Sequence, residues 1–304
     1  MTVQAFDPYV FRLQDDLTTI KTGLNALLDI STIRSVNLNH PDDTIYVLGA
    51  SKWRWGPSDE VTSAAQMTLL RHYHAWFDRF TLLFPHPTQD ISSKISEADE
   101  FVRRWLARDK GFDYSIPQTI EQAKDVAASK LAVFDELLSI ATQTGDKTLR
   151  LLPDTNALLR NPSVEEYVTT VGSADYMVHI VTAVLSELDD LKDRGRTQDV
   201  REKAGKVIRR LKGFRDRGSL ADGVKVAGNV HLRLEHREVD VRAVLSWLDP
   251  TVPDDRILAT ALRLQSDNPA GVVVLITSDL NLQNKADAVG LPYAEPPVSY
   301  PSSS

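Results

Sequence analysis

Four carboxylates in the C-terminal half of this sequence have the types and spacing to do chemistry: Asp154, Glu187, Asp254 and Asp279. Each reads at the end of a strand or the start of a helix. Asp154 closes Leu151-Leu152-Pro153, and Asp279 closes Val274-Leu275-Ile276-Thr277-Ser278. Glu187 falls in the first turn of Ser186-Glu187-Leu188-Asp189-Asp190, and Asp254 opens the helix Asp254-Asp255-Arg256-Ile257-Leu258. In a parallel α/β sheet the loops at the carboxyl ends of the strands meet along one edge. Acids far apart in sequence therefore converge there. Anionic oxygens held together repel one another, and a divalent cation resolves the repulsion. Such a cation activates water and stabilises charge at a phosphodiester under attack. The sequence has no cysteine, which excludes disulfides, thiolate ligands and cysteine nucleophiles. Hard oxygen donors select magnesium or manganese.

Each acid taken alone is most simply a cap; the weight lies in the ordered set of four. Apolar residues at Ile257, Leu258, Ala261 and Leu262 place Asp254 along the buried side of its helix, while Asp189, Asp190 and Asp255 read as a solvated face. Beside the acids runs a basic stretch. From Lys192 to Arg217 eleven cations face four acids, in a chain whose formal net charge is -7. Val200, Ala204, Val207, Leu211 and Phe214 mark its buried stripe. Lys192, Arg194, Arg196, Arg201, Lys206, Arg209 and Arg210 stay outside, where they can meet a polyanion.

These residues need elements to position them. From Thr148 onward, short apolar runs alternate with amphipathic stretches, which predicts a parallel sheet with helices on both faces. Strands are expected at Leu149–Pro153, Tyr176–Ala183, Val224–Ala227 and Gly271–Thr277. Helices are expected at Val164–Val171, through one long region to Phe214, at Asp254–Leu264 and at Leu282–Val289. The first half reads differently. Stripes starting at Val10, Val61, Ile91 and Ile120 recur every three or four residues, which predicts an all-α helical bundle. Asn37 to Gly56 fits no helix, and its Trp53 and Trp55 are expected in the core. The resulting division is residues 1–147 helical, 148–294 α/β, and a disordered Pro- and Ser-rich tail at 295–304. Met1 to Phe11 does not read as a signal peptide, and no segment has the ~20 apolar residues of a membrane helix. A cytoplasmic location with no membrane partner is the expectation.

The order and wording of the acidic motifs resemble PIN-domain nucleases. The family's first motif, Asp followed by Thr-Asn, is matched by Asp154-Thr155-Asn156. Its Glu after the second strand is matched by Glu187, its third acid before an Ile-Leu-Ala-Thr-Ala helix by Asp254, and its Thr-x-Asp and Asn-Leu by Thr277, Asp279, Asn281 and Leu282. The wording is most similar to PIN modules fused to PhoH ATPases and to those of eukaryotic RNA-decay factors. The resemblance spans roughly residues 148–293 and does not reach the helical half. It implies a Rossmann-like sheet, magnesium or manganese held by Asp154, Glu187, Asp254 and Asp279, and endonucleolytic cleavage of single-stranded RNA by activated water. By the same resemblance Asn156 and Thr277, with Ser278, Asp255 and Asn281 beside them, orient the carboxylates. Asp255 departs from the pattern, standing where such relatives often carry Asn.

Other readings stay open at this level. They are a catalytically weak scaffold that binds RNA or a protein, a toxin-type ribonuclease, and a structure-specific DNA nuclease. The helical half is expected to choose a substrate, bind a protein partner or self-associate. Asn284-Lys285-Ala286-Asp287 has the wording of a guanine-nucleotide binder, but no phosphate-cradling glycine loop accompanies it.

Overall fold

The computed structural model describes residues 6–37, 51–108 and 116–298. The chain divides into two compact units, Leu13–Thr142 and Met1–Arg12 together with Gln143–Ser304. The beginning of the first helix thus clusters with the C-terminal unit, where the Tyr9 hydroxyl donates to the Val289 carbonyl at 3.2 Å.

In the Leu13–Thr142 unit the predicted stripes become helices α1 (Tyr9–Asp29), α2 (Glu60–Thr81), α3 (Gln89–Ala107) and α4 (Ile120–Ala141). Asp59, Thr88 and Thr119 cap α2, α3 and α4 by accepting from backbone N–H groups of the first turn. The buried stripes meet in an aromatic core, with Trp76 and Phe80 each 5.1 Å from Phe134 between ring centroids. An antiparallel pair, β1 (Ile33–Asn37) and β2 (Ser51–Trp55), adds to the helices. Trp53 and Trp55 are half-buried rather than core residues. Residues 38–50 of the non-helical stretch lie outside the described residues.

The C-terminal unit is built on a six-stranded sheet. Its strands are β3 (Leu149–Pro153), β4 (Asp175–Ile180), β5 (Val224–Ala227), β6 (Asn229–Leu234), β7 (Val272–Ile276) and β8 (Tyr293–Ala294), in the order β5-β6-β4-β3-β7-β8. All neighbours are parallel except β5 and β6. The apolar runs of β3 and β7 are buried at nearly every position, as helices on both faces require. Strand β3 has β4 on one side and β7 on the other, so the chain reverses its direction of winding there. The carboxyl ends of β3 and β7 therefore flank a switch-point crevice.

The expected elements are present, with shifted bounds. The strand expected to run to Ala183 ends at Ile180, because α7 (Thr182–Arg194) begins there. The single long helix to Phe214 is two, α7 and α8 (Gln198–Phe214). Gly195 makes the break: a Cβ there would lie 2.5 Å from the Leu191 carbonyl oxygen, and Thr197 then caps α8. The short helices α5 (Thr155–Arg160), α6 (Val168–Val171) and α9 (Val241–Val244) join them, with α10 (Pro253–Asp267) and α11 (Leu280–Val289). The region expected as a helix at Val164–Val171 is a 3-10 turn running into α6. The tail is anchored where it is described. Asn161 Nδ2 donates to the Pro297 carbonyl at 3.4 Å, and Arg160 stands 3.8 Å from Glu295. Ser299–Ser304 lie outside the described residues. Among the described residues no helix is long and apolar enough to cross a membrane.

Candidate active site

Asp154 stands where β3 ends and α5 begins, with 4 % exposure. One carboxylate oxygen accepts from the Ala157 N–H at 2.6 Å and the other from the Thr277 hydroxyl at 2.5 Å. Thr277 is fully buried just past β7 and also accepts from the Asp279 N–H at 2.9 Å. One hydroxyl thus ties the ends of β3 and β7 together. Asp279 caps α11, its carboxylate accepting from Asn281 and Leu282 N–H at 2.8 and 3.1 Å. Asp254 lies in the first turn of α10. That helix packs on β7, so its N-terminus faces the same sheet edge.

The electrostatics connect the acids. Burial pushes the Asp154 carboxyl up from its ordinary value. The Thr277 and Ala157 hydrogen bonds pull it down, and the charges of Asp254 and Asp279 push it up again. Asp254 is also raised, first by burial and then by Asp279, with Glu187 and Asp255 adding to the repulsion and Lys285 opposing it. Glu187 sits in the second turn of α7, not the first, because that helix starts at Thr182. The Thr155 hydroxyl holds it with a 2.6 Å bond to Oε2. Among the described residues no lysine or arginine pairs with any of these four carboxylates.

Two expectations are corrected. Asp255, not Asp254, is the acid turned inward: it is 4 % exposed, whereas Asp254 is half-buried. Asp255 is neutralised, with Lys285 Nζ at 2.6 Å and the Asp249 N–H at 2.8 Å. The helix α10 is buried over most of its circumference, so its periodicity does not distinguish two consecutive aspartates. The other correction concerns the orienting residues. Thr277 does hold a carboxylate. Asn156, Ser278 and Asn281 are exposed, and Ser278 instead accepts from Arg160 at 3.1 Å. Thr155, in the middle of the first motif, does what was expected of Asn156. Thr155 and Asn156 both stand in the first turn of α5, so the sequence alone did not show which of them reaches Glu187.

Residues 151–295 match the family model described as the PIN domain. This half of the chain is a PIN domain. PIN domains are in general nucleases, and they typically use divalent metals. No curated protein matches the chain.

The donor set of this PIN domain fits a hard divalent cation. All its ligands are oxygens, the neighbouring acids help to raise Asp154 and Asp254, and no basic side chain among the described residues pairs with them. As they lie, no three acidic or histidine side chains among the described residues are close enough together to hold a metal ion.

The basic stretch is split by the fold. Lys192, Arg194 and Arg196 are exposed at the end of α7 and just beyond it, and Lys206 and Arg209 are exposed on α8. Lys192 is shared with Asp193 at 3.5 Å. Arg201 is spent on the Gly195 carbonyl at 2.5 Å, and Arg210 on Glu165 at 2.5 Å while lying near the Phe214 ring. These two are engaged in structure.

Proposed function

We propose that the PIN domain is a divalent-cation-dependent endoribonuclease that cleaves single-stranded RNA with water as the nucleophile, giving a 5′-phosphate and a 3′-hydroxyl. The reading rests on one observation. Asp154 and Asp279, linked through the buried Thr277 hydroxyl at the β3/β7 switch point, share their field with Asp254, which also feels Glu187. When bound, magnesium or manganese supplies Lewis-acid activation of water and neutralises charge at the scissile phosphate.

The chain's own residues do the rest. Thr277 and the Ala157 N–H fix both oxygens of Asp154. Thr155 turns Glu187 toward the crevice. Asp254 sits in the first turn of α10, where the helix dipole favours a negative charge and opposes the rise caused by burial and Asp279. Lys192, Arg194 and Arg196, exposed one to two turns beyond Glu187, meet the flanking phosphates. The helical unit selects the substrate or a protein partner, and the protein acts in the cytoplasm.

The test is cleavage of fluorescent single-stranded RNA and DNA by the full chain with manganese, magnesium or chelator, beside Asp154→Asn. Cation-dependent RNA cutting that disappears in the variant is the expected result. Equal cutting by the variant would sink the assignment. RNA binding without cutting under any cation would make the domain a binding scaffold.

A further inference from the structure

Of the five tryptophans only Trp247 is exposed, at 53 %. It stands with Ser246 at the tip of a turn closed by the Leu248 N–H, which donates to the Leu245 carbonyl at 3.1 Å. Turn tips favour small polar residues, so the turn itself gives no reason for an indole. Among the described residues the ring has no aromatic neighbour, and its N–H has no hydrogen-bond partner. An indole left in water forgoes the gain of burial, which a flat apolar partner would restore.

The turn is fixed beside the acids. Leu248, the next residue, is 2 % exposed and anchors it. Then the Asp249 N–H donates to Asp255 Oδ2 at 2.8 Å, while Lys285 holds the other oxygen at 2.6 Å. Asp255 is the neighbour of Asp254 in α10, and α9, which precedes the turn, packs on that same helix. Two residues of chain span at most about 7 Å, so Trp247 is tied close to this corner of the crevice. A cation stands near it. The Asp249 carboxyl is held below its ordinary value by the Thr251 N–H and hydroxyl, with the charge of Arg242 adding to the effect. Arg242 is exposed and forms no ion pair among the described residues. Leu280, the residue after Asp279, is also exposed, at 69 %. The acids are therefore bordered by exposed apolar surface and an unpaired cation. A single strand, with splayed bases and regular phosphates, matches both, whereas a duplex keeps its bases stacked inside.

We propose that Trp247 stacks on a base of single-stranded RNA lying at the acids, with Arg242 on a neighbouring phosphate, so that this turn sets a preference for unpaired strands. The strand's role as substrate rests on the nuclease reading; the stacking contact does not. The variants are Trp247→Ala, Trp247→Phe and Arg242→Ala in the full chain, with thermal melts confirming the fold. Binding of a labelled single-stranded RNA, and of the same sequence in a duplex, is measured in chelator across salt concentrations. Trp247→Ala is expected to weaken single-strand binding by about fivefold to a hundredfold, the range for one stacked base, and to leave duplex binding almost unchanged. Trp247→Phe keeps most of the affinity. Arg242→Ala flattens the salt dependence of single-strand binding by about 0.7 in log–log slope, the share of one phosphate. A parent that binds no single-stranded RNA, an alanine variant at Trp247 that binds it as well as the parent, or an equal loss on strand and duplex overturns the stacking contact. An unchanged salt slope removes Arg242 from it. If Trp247→Ala loses the single strand selectively while the parent cuts nothing under any cation, the nuclease reading falls and the stacking contact stands.

Discussion

Thr277 is the residue on which the geometry of the acidic crevice depends most, and Thr277→Val tests it. Valine keeps the shape and removes the hydroxyl. Two bonds go: the one donated to the buried Asp154 carboxylate at 2.5 Å and the one accepted from the Asp279 N–H at 2.9 Å. A bond to an ionised group is worth more than a neutral one, so the expected cost is about 2–3 kcal/mol at neutral pH. For a domain of this size that is a fall in melting temperature of roughly 4–12 °C. The sign with pH follows from Asp154. Its carboxyl is already raised by burial, and the Thr277 bond is what pulls it down. Without the bond it rises further. The variant's deficit is therefore smallest below the ordinary carboxylate range, where Asp154 is protonated in both states. It grows as pH rises through the folded value. In the cleavage assay the acid limb of the rate moves to higher pH for the same reason. Thr277→Ser is the control. It loses a buried methyl group at a cost of about 1 kcal/mol but keeps the pH profile. Melts and pH–rate profiles of the three proteins check the reasoning. If valine and serine behaved alike in both, the hydroxyl would not be what organises the site.

Three further outcomes are expected. Asp254→Asn raises stability in chelator at neutral pH, because the Asp254 carboxyl is raised by burial and by Asp279, and its charge costs stability above the folded value. The gain is at most about 1 kcal/mol for a half-exposed, solvent-screened group, vanishes below the ordinary carboxylate range, and is overtaken by the parent when saturating manganese binds; denaturant melts with and without the cation measure it. Replacing Arg194 and Arg196 together by Ala flattens the salt dependence of RNA binding by about 1.4 in log–log slope, the share of two phosphates on a single strand. Arg210→Ala leaves that slope alone and lowers stability, since Arg210 is held by Glu165; anisotropy titrations across salt concentrations tell them apart.

Much of this architecture is legible in the sequence because its signals are local. The β-branched run at Val272–Ile276 and the strand Leu149–Pro153 are short, apolar and bounded by polar residues, so they read as buried parallel strands. The four long helices carry single apolar stripes, and α2, α3 and α4 have side-chain caps. What was not legible depends on partners distant in the chain. Strand β6 carries polar His231 and Arg233 and gains its place only by pairing with β4 and β5. The two-residue β8 exists only beside β7. The engagement of Arg210 requires Glu165, some 45 positions earlier. Within the site, the order of the acids was readable, but the inward turn of Asp255 was not, because its partner Lys285 comes from another helix.

That pairing bears on why the remaining acids are left as they are. The fold can neutralise an aspartate at this edge, and it does so once, with Lys285 beside Asp255. It gives Asp154, Glu187 and Asp279 hydroxyl and backbone donors instead, which orient a carboxylate without cancelling its charge. Stability alone would favour more lysines or fewer acids here, since the uncompensated carboxylates raise Asp154 and Asp254. Lys285 also lies within the electrostatic reach of Asp254, so it trims the field of the crevice without entering an ion pair there. Asp255 and Lys285 thus act as one neutral unit, and the net charge available to a cation is that of the other four carboxylates.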